Sequence, residues 1–435
     1  MEHCGNPPTA HAPRPPRHPD GYDALTFAAP SRRLFGAALV LGLLSAIGPF
    51  AIDMYLPALP AIQRGLHTDV AGAQASLMAF FVAAGLGQVV YGPLSDMVGR
   101  KPPLYVGLGV FVLASIGCSL APNIHSLVAF RFMQGLGACA GMVIPRAVVR
   151  DLYTGVDAAR LMALLMLVFS VSPILAPLTG SMVIRLADWR GIFWVVAAAA
   201  LLGVLLVRAA LAETRPAAQR TRSSLRSALA GYRLLLRDRT FIGLVFIGAS
   251  GTASFFTYLA NSSFVLIGHY GLTPTQYSIA FSLNAASFIG AAQCTGWLGT
   301  RYGLRRVVRV AVVGHVATML GLFGLYLIGF DRLDLLLGLL LIGYGFLGLT
   351  IPITAVLALD RHGPIAGTAS ALMGTLQFVT GAVVIAAISP FAGNGALPMV
   401  AGIAGCATAA FVLVRLTLPR HQPDHGVAVL DTKED

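Results

Sequence analysis

The sequence predicts an all-α integral membrane protein whose twelve transmembrane helices form two six-helix pseudo-repeats. Three observations predict it. The chain of 435 residues is 56% hydrophobic and only 11% charged, against about 25% charged residues in an ordinary soluble domain. Apolar stretches of about 20 residues, each long enough to cross a hydrocarbon layer of about 30 Å as helix, recur from one end to the other. An arginine-rich interruption divides them six and six, and a motif after the second stretch returns in degenerate form after the eighth.

Taken in order, residues 1–33 are Pro-rich and polar, without the apolar core of a cleavable signal peptide, and read as a disordered cytoplasmic tail. The first six-helix bundle, 34–212, has spans at 34–60, 73–94, 102–121, 125–149, 159–184 and 188–212. Residues 213–239 carry seven arginines and read as a cytoplasmic linker, with an amphipathic surface helix or a solvated loop expected from Ser223 to Arg239. The second bundle, 240–418, has spans at 240–267, 275–299, 307–330, 333–358, 364–389 and 394–418, followed by a cytoplasmic tail, 419–435.

The net charge of +12 raises the question of a nucleic-acid partner, and the positions of the cations answer against one. Of 30 basic residues, only Arg64, Arg185, Arg190 and Arg332 fall on the side away from the linker, and Arg131 falls within a span. The rest follow the positive-inside rule, which places both termini in the cytoplasm and makes the lipid bilayer the partner. Cys118, Cys139, Cys294 and Cys406 lie in spans and Cys4 in the tail, without metal-ligand or redox spacing. They are expected to pack as small hydrophobes, with no metal, cofactor or enzyme activity implied.

Asp53 is the only one of 18 acids inside a long apolar run. A carboxylate there is costly and marks a function, through a water-filled cavity, a partner charge or a proton. Arg131 lies within the fourth span. Counted from the outer span ends Asp53 sits about 13 Å and Arg131 about 9 Å deep, so they are expected to face one cavity as an ion pair or across a water. Snorkelling is the structural alternative for Arg131.

The segment GQVVYGPLSDMVGRKPP, 87–103, is the most specific signal. Gly87 and Gly92 permit close helix approach, Gly99 suits a tight turn, and Asp96, Arg100 and Lys101 stand at the cytoplasmic surface, where the acid can pair with the cations or a helix N-terminus. Its counterpart is GWLGTRYGLR, 296–305, in which Gly92, Leu94 and Gly99 correspond to Gly296, Leu298 and Gly303 and Asp96 becomes Thr300. Repeats of this kind belong to transporters that rock one bundle against the other.

At Gly92, Leu94, Asp96, Gly99, Arg100 and Lys101 the chain resembles the major facilitator superfamily. At 51–62, 131–153 and 255–284 it resembles the bicyclomycin-resistance and chloramphenicol-exporter group of drug/proton antiporters. SPILAPLTGS, 172–181, is similar to the superfamily's antiporter motif, keeping Pro173, Pro177 and Gly180 but with Ala176 and Ser181 at expected glycines. The resemblance implies proton handling by Arg131, followed here by Gln134 and Gly135, and a bacterial inner-membrane location. A second acid found in some relatives is replaced by Ser45.

The reading is a secondary transporter in which proton and substrate occupy Asp53 alternately. It is expected to export small apolar or amphiphilic drugs, chloramphenicol- or bicyclomycin-like, in exchange for protons, as a monomer. Soft and aromatic residues with a few amides line such a cavity: Met54, Tyr55, Gln134, Met133, Met142, Phe255, Tyr258, Asn261, Asn284 and Gln377, where each Met or aromatic also fits plain packing. His315 fits a polar packing contact or a proton relay. GLGACAG, 135–141, fits small-residue helix packing, and the lack of a Walker sequence argues against ATP. The alternatives are proton-coupled uptake or export of a metabolite, and a receptor or scaffold that does not transport.

Overall fold

A computed structural model describes residues 32–153, 155–215, 220, 225–393 and 395–418; residues 1–31 and 419–435 of the tails, Cys4 included, lie outside them, while Arg32 and Arg33, expected in the N-terminal tail, begin the first helix. The described residues contain helices and no strands. Span 1 is a broken unit, α1 (Arg32–Asp53), a 3₁₀ turn (Leu56–Ala58) and α2 (Leu59–Gly65). Spans 2 to 6 are α3 (Val70–Val98), α4 (Lys101–Ser119), α5 (Ile124–Leu152), α6 (Gly155–Leu186) and α7 (Arg190–Ala210). The linker contributes α8 (Leu225–Arg237), inside the stretch where the sequence offered a surface helix or a loop.

Span 7 is α9 (Arg239–Ser263), continued by a π-helical turn (Phe264–His269). Span 8 is α10 (Pro274–Gln293), extended by the short α11 (Thr295–Tyr302). Spans 9 to 12 are α12 (Leu304–Leu327), α13 (Leu333–Leu359), α14 (Ala366–Ile388) and α15 (Leu397–Thr417). Among the described residues 11 helices are long and apolar enough to cross a membrane. The twelfth, α10, falls short on apolarity because Gln276, Ser278, Ser282, Asn284, Ser287 and Gln293 interrupt it. It packs between α6 and α13, where protein buries Ser278 and Asn284 and half-buries Ser282 and Ser287, while Gln276 and Gln293 near its ends are exposed.

Capping follows from the sequence. The Asp69 carboxylate accepts from Gly72 N at 2.7 Å, Asn123 from Ser126 N at 3.0 Å and Asp238 from Thr240 N at 2.8 Å, while Thr273 and Gln276 form a reciprocal box. Each satisfies backbone donors that a helix start leaves open. The two corresponding glycines of the repeat, Gly99 and Gly303, have φ of 102° and 79°, a region that side-chain-bearing residues avoid. The turn after span 2 and the turn after span 8 therefore share one backbone device.

The first six spans pack mainly among themselves through α3 on α5, α4 on α5 and α7, and α1 on α5, α6 and α7. The last six pack through α9 on α13, α14 and α15, and α12 on α13 and α15. GLGACAG lies inside α5, where a Cβ at Gly135, Gly137 or Gly141 would strike the backbone of Phe80, Gly107 or Leu44. Three successive glycines thus let α3, α4 and α1 close on one helix. The two sets of spans meet along α3 with α14 and along α6 with α10.

Candidate functional site

Asp53 sits where span 1 breaks. Pro57 and Pro60 lack the N–H groups that would continue the helix, and the chain turns through Met54 and Tyr55. Tyr55 N accordingly donates to Ile52 O at 3.3 Å and leaves Ala51 O unused by the helix. Arg131 takes that carbonyl with Nη1 at 3.2 Å and donates from the same atom to Gln134 Oε1 at 2.6 Å. The proline-broken helix and the buried arginine thus complete each other.

Arg131 is fully buried, its guanidinium carbon 4.4 Å from the Tyr55 ring centroid and 4.5 Å from that of Phe80. Gln134 passes the network to Ser115 at 2.7 Å, and Tyr55 OH meets Ser76 Oγ at 2.6 Å. Among the described residues no ion pair joins Arg131 to Asp53, and Arg131 Nε and Nη2 have no hydrogen-bond partner. The direct ion pair, one of the two expected arrangements, is absent because two aromatic faces and a freed carbonyl hold the guanidinium. Tyr55 and Gln134 serve that cluster instead of lining a cavity.

Asp53 is 5% exposed. Tyr277 of α10, across the seam between the two sets of spans, lies within electrostatic reach of it and shares a 3.1 Å hydrogen bond with Ser262. Gly180 of α6 fixes the other side, since a Cβ there would overlap the Met54 carbonyl. One turn away, α6 gives two carbonyls to α10: Ser278 donates to Pro177 O and Ser282 to Ile174 O, each at 2.8 Å. Pro173 and Pro177 both lie inside the continuous α6.

The face of the protein away from the linker is closed. Gln74, fully buried on α3, donates Nε2 to Ala260 O at 3.1 Å and to Asn261 Oδ1 at 2.9 Å. Further along α3, Phe81 stacks on Phe256 with centroids 4.1 Å apart, Phe378 meets both edge-on, and Thr375 donates to Gly85 O at 2.7 Å. Outside this closure, a cavity of about 290 Å³ has Asn261 and His269 in its wall.

The linker face is open. A vestibule of about 680 Å³ lies between α3, α5, α6 and α14, its wall including Gln88, Gly92, Asp96, Arg100, Arg146 and Arg150. Asp96 is paired with Arg100 at 2.8 Å and Arg215 at 3.1 Å, and Arg100 reaches Asp151 at 2.7 Å. Glu213 accepts from the backbone N–H groups of Arg100 and Lys101 at 2.8 and 3.1 Å, so a linker carboxylate caps α4. Burial pushes the Glu213 carboxyl up, but the N–H groups of Arg100, Arg215 and Lys101, with Arg220 nearby, hold it below its usual range. Gly87 packs on Cys139, where a Cβ would come within 2.8 Å. Gly92 has open space at its Cβ position, so it borders the vestibule and does not join helices as expected.

The other sequence candidates are dispersed. Tyr258 is buried, stacks on Phe281 and accepts from Asn284 Nδ2 at 3.1 Å, while Asn284 Oδ1 is left unpaired. Gln377 lies near Gly248 of α9. Met142 packs against Gly48 and Phe255 stacks on Phe288, whereas Met133 faces outward at 45% exposure. Met54 borders an apolar groove between α1 and α7. His315 is buried with Nδ1 3.0 Å from Gly343 O and Nε2 unpaired. Cys294 is exposed at the break between α10 and α11. Sequence reasoning missed Gln74, although an amide inside a span is the same signal that singled out Asn261. Tyr277, Asp151 and Glu213 carry no local signal.

Comparison with known proteins agrees with this architecture. Residues 41–386 match the Major Facilitator Superfamily. An uncharacterized MFS-type transporter, YdgK, of Bacillus subtilis is 35% identical over 83% of this chain and 90% of its own length. A bicyclomycin resistance protein homolog of Haemophilus influenzae is 29% identical over 85% of this chain and 92% of its own. The crystal structure of a D-xylose-proton symporter superposes with a TM-score of 0.67 at 15% identity, covering 87% of this chain and 97% of that one, a likeness of fold. A broken, charge-bearing first span, two sets of six helices meeting along two seams and an Asp96 to Lys101 turn at the vestibule rim all fit that match: the chain belongs to the Major Facilitator Superfamily and is a multi-pass membrane transporter, not an enzyme.

Proposed function

We propose that this protein exports small, largely apolar compounds from the cytoplasm of a bacterium in exchange for protons, by alternating access between halves at 34–212 and 240–418. The observation that carries this reading is Asp53, a carboxyl group 5% exposed at a helix break beside the seam where the halves meet. An ionised carboxylate sealed from water is costly, so the group holds a proton or a polar partner whenever the path around it is closed. Movement of one half against the other opens it to water on one side or the other, where proton and substrate exchange.

The distribution of cations supports a cytoplasmic position for the linker face and both termini, in a protein of the inner membrane. The vestibule then opens to the cytoplasm, and Gln74 with Asn261 closes the outside. Asp96, held by Arg100 and Arg215 within the first half and its linker, is available to engage the second half when the vestibule shuts. The relative named for bicyclomycin resistance supports an antibiotic-like substrate. One chain encloses the path, so a monomer suffices.

Proteoliposomes holding inside-out protein and an acidified lumen test the reading. Candidate drugs are added outside and lumenal pH is followed for the wild type and Asp53→Asn. Drug-dependent proton efflux that disappears in the variant is the expected result. Efflux that persists in the variant removes Asp53, and an absence of proton movement with every compound removes antiport.

A further inference from the structure

We propose that the exposed face of α8 binds anionic phospholipid headgroups of the cytoplasmic leaflet through Arg233 and Arg237, with Leu229 and Leu236 in the acyl region. The proposal rests on the cytoplasmic assignment of the linker. It says what holds the linker in place, which the export reading leaves open.

The geometry begins with what α8 buries. Leu235 is fully buried and Tyr232 nearly so, packed in one apolar cluster with Phe241 and Leu244 of α9. Tyr232 OH donates to Val89 O of α3 at 3.2 Å, and Gly231 lies against Thr368 of α14. The helix is therefore docked on both halves, beside the vestibule whose wall includes Tyr232. Val89 is nine residues from the end of α3 at Val98. At about 1.5 Å per residue, that anchor is within the membrane-spanning length.

What α8 leaves outside does not suit water. Leu229 and Leu236 are 60% and 55% exposed. At 100° per residue they lie on one edge of the helix, and the exposed Arg233 and Arg237 lie one turn apart beside them. A helix anchored within the span length and carrying such an edge sits at the boundary of hydrocarbon and headgroups, its leucines inward and its guanidinium groups on phosphates. Arg239 continues the basic row at the first turn of α9. Cationic residues next to an apolar edge select anionic over zwitterionic lipid, and each arginine near such a surface is worth about a fivefold change in affinity.

The test uses full-length protein in nanodiscs of phosphatidylcholine alone or mixed with phosphatidylglycerol. Phosphatidylglycerol retained by the purified protein in native mass spectrometry is counted, and the thermal midpoint is measured in both lipids. Neither readout needs a transported compound, so failure of the export reading leaves both intact. The wild type is expected to retain phosphatidylglycerol and gain thermal stability from it. Arg233→Gln with Arg237→Gln is expected to weaken retention about 25-fold and remove the gain. Arg301→Gln with Arg306→Gln, on the same face, serves as the comparison and is expected to keep both. Equal loss in the two double variants, or a wild type that does not distinguish the lipids, overturns the proposal. If the α8 pair does not fold, Arg237→Gln alone decides by its single fivefold step.

Discussion

Gln74 donates its side-chain amide to Asn261 at 2.9 Å across the seam between the first and last six spans. The same amide also donates to Ala260 O at 3.1 Å, so one buried side chain of the first set makes both bonds to the second. A buried hydrogen bond contributes a net of about 0.5–1.5 kcal/mol. Gln74→Leu removes this bond and the one to Ala260 O, and should therefore shift the balance toward an outward-open form about five- to a hundredfold. Labelling of Ser254→Cys, fully buried about two turns below Asn261 on α9, should accelerate by that factor from the outside. Unchanged labelling would show that the aromatic packing of Phe81, Phe256 and Phe378 alone holds the outer closure.

Asp53→Asn keeps the shape of the side chain and removes its charge. Because among the described residues no ion pair engages Asp53, its loss leaves no charge without a partner. The variant should keep or slightly raise its thermal midpoint in detergent while losing proton-coupled export. A clear drop in the midpoint would mean that Asp53 is structural.

Gly180 and Gly92 should respond oppositely to the same substitution. A methyl at Gly180 meets the Met54 carbonyl, and a methyl at Gly92 meets nothing within 4 Å. Gly180→Ala should force α1 from α6 and reduce export at least tenfold, whereas Gly92→Ala should fold and export nearly normally. Equal behaviour of the two would remove the close approach of α1 to α6 as a requirement.

Arg131→Lys retains the charge but loses the planar group between Tyr55 and Phe80. It should lower stability by about 2 kcal/mol or more, through lost stacking and donors left off Ala51 O and Gln134. Arg131→Ala should cost more, since it adds a cavity. Thermal unfolding in detergent reads both, and a Lys variant as stable as wild type would show that the charge alone matters there.

Glu213 gives a pH signature. Its carboxyl is held below the usual value of 4.5, so the folded state binds its proton more weakly than the unfolded chain does. The stability it contributes is present above about pH 4.5 and is lost as pH falls through the lower folded value. Glu213→Gln should flatten that part of the stability profile and lower stability at neutral pH, where the carboxylate contributes. An acid limb of the same steepness in the variant would assign it to other carboxyls.

Much of the fold was legible because in a bilayer each backbone group must be satisfied within its own helix. Apolar length therefore translates directly into spans, and cation placement into sidedness. Even α10, the most polar of them, counts among the twelve apolar stretches, at 275–299. The turn at Gly99 was legible because only glycine adopts its φ of 102° easily. The site was less so. Asp53 and Arg131 announced themselves by cost, yet a depth count cannot say which way a guanidinium points. The lining list failed in part for the same reason, since Met133 and Met142 are alike in sequence but face opposite ways, one exposed and one buried.

The sequence by itself determined an all-helical membrane transporter, its repeat, the glycine turn at Gly99 and the small-residue packing of GLGACAG. These depend on local backbone chemistry and on hydrophobic length. Only the tertiary structure decided that Arg131 is held by Ala51 O and two rings, that Gln74 closes the side away from the linker and that Glu213 caps α4. Each of those joins groups from separate helices, whose rotation and register come from packing across the whole bundle.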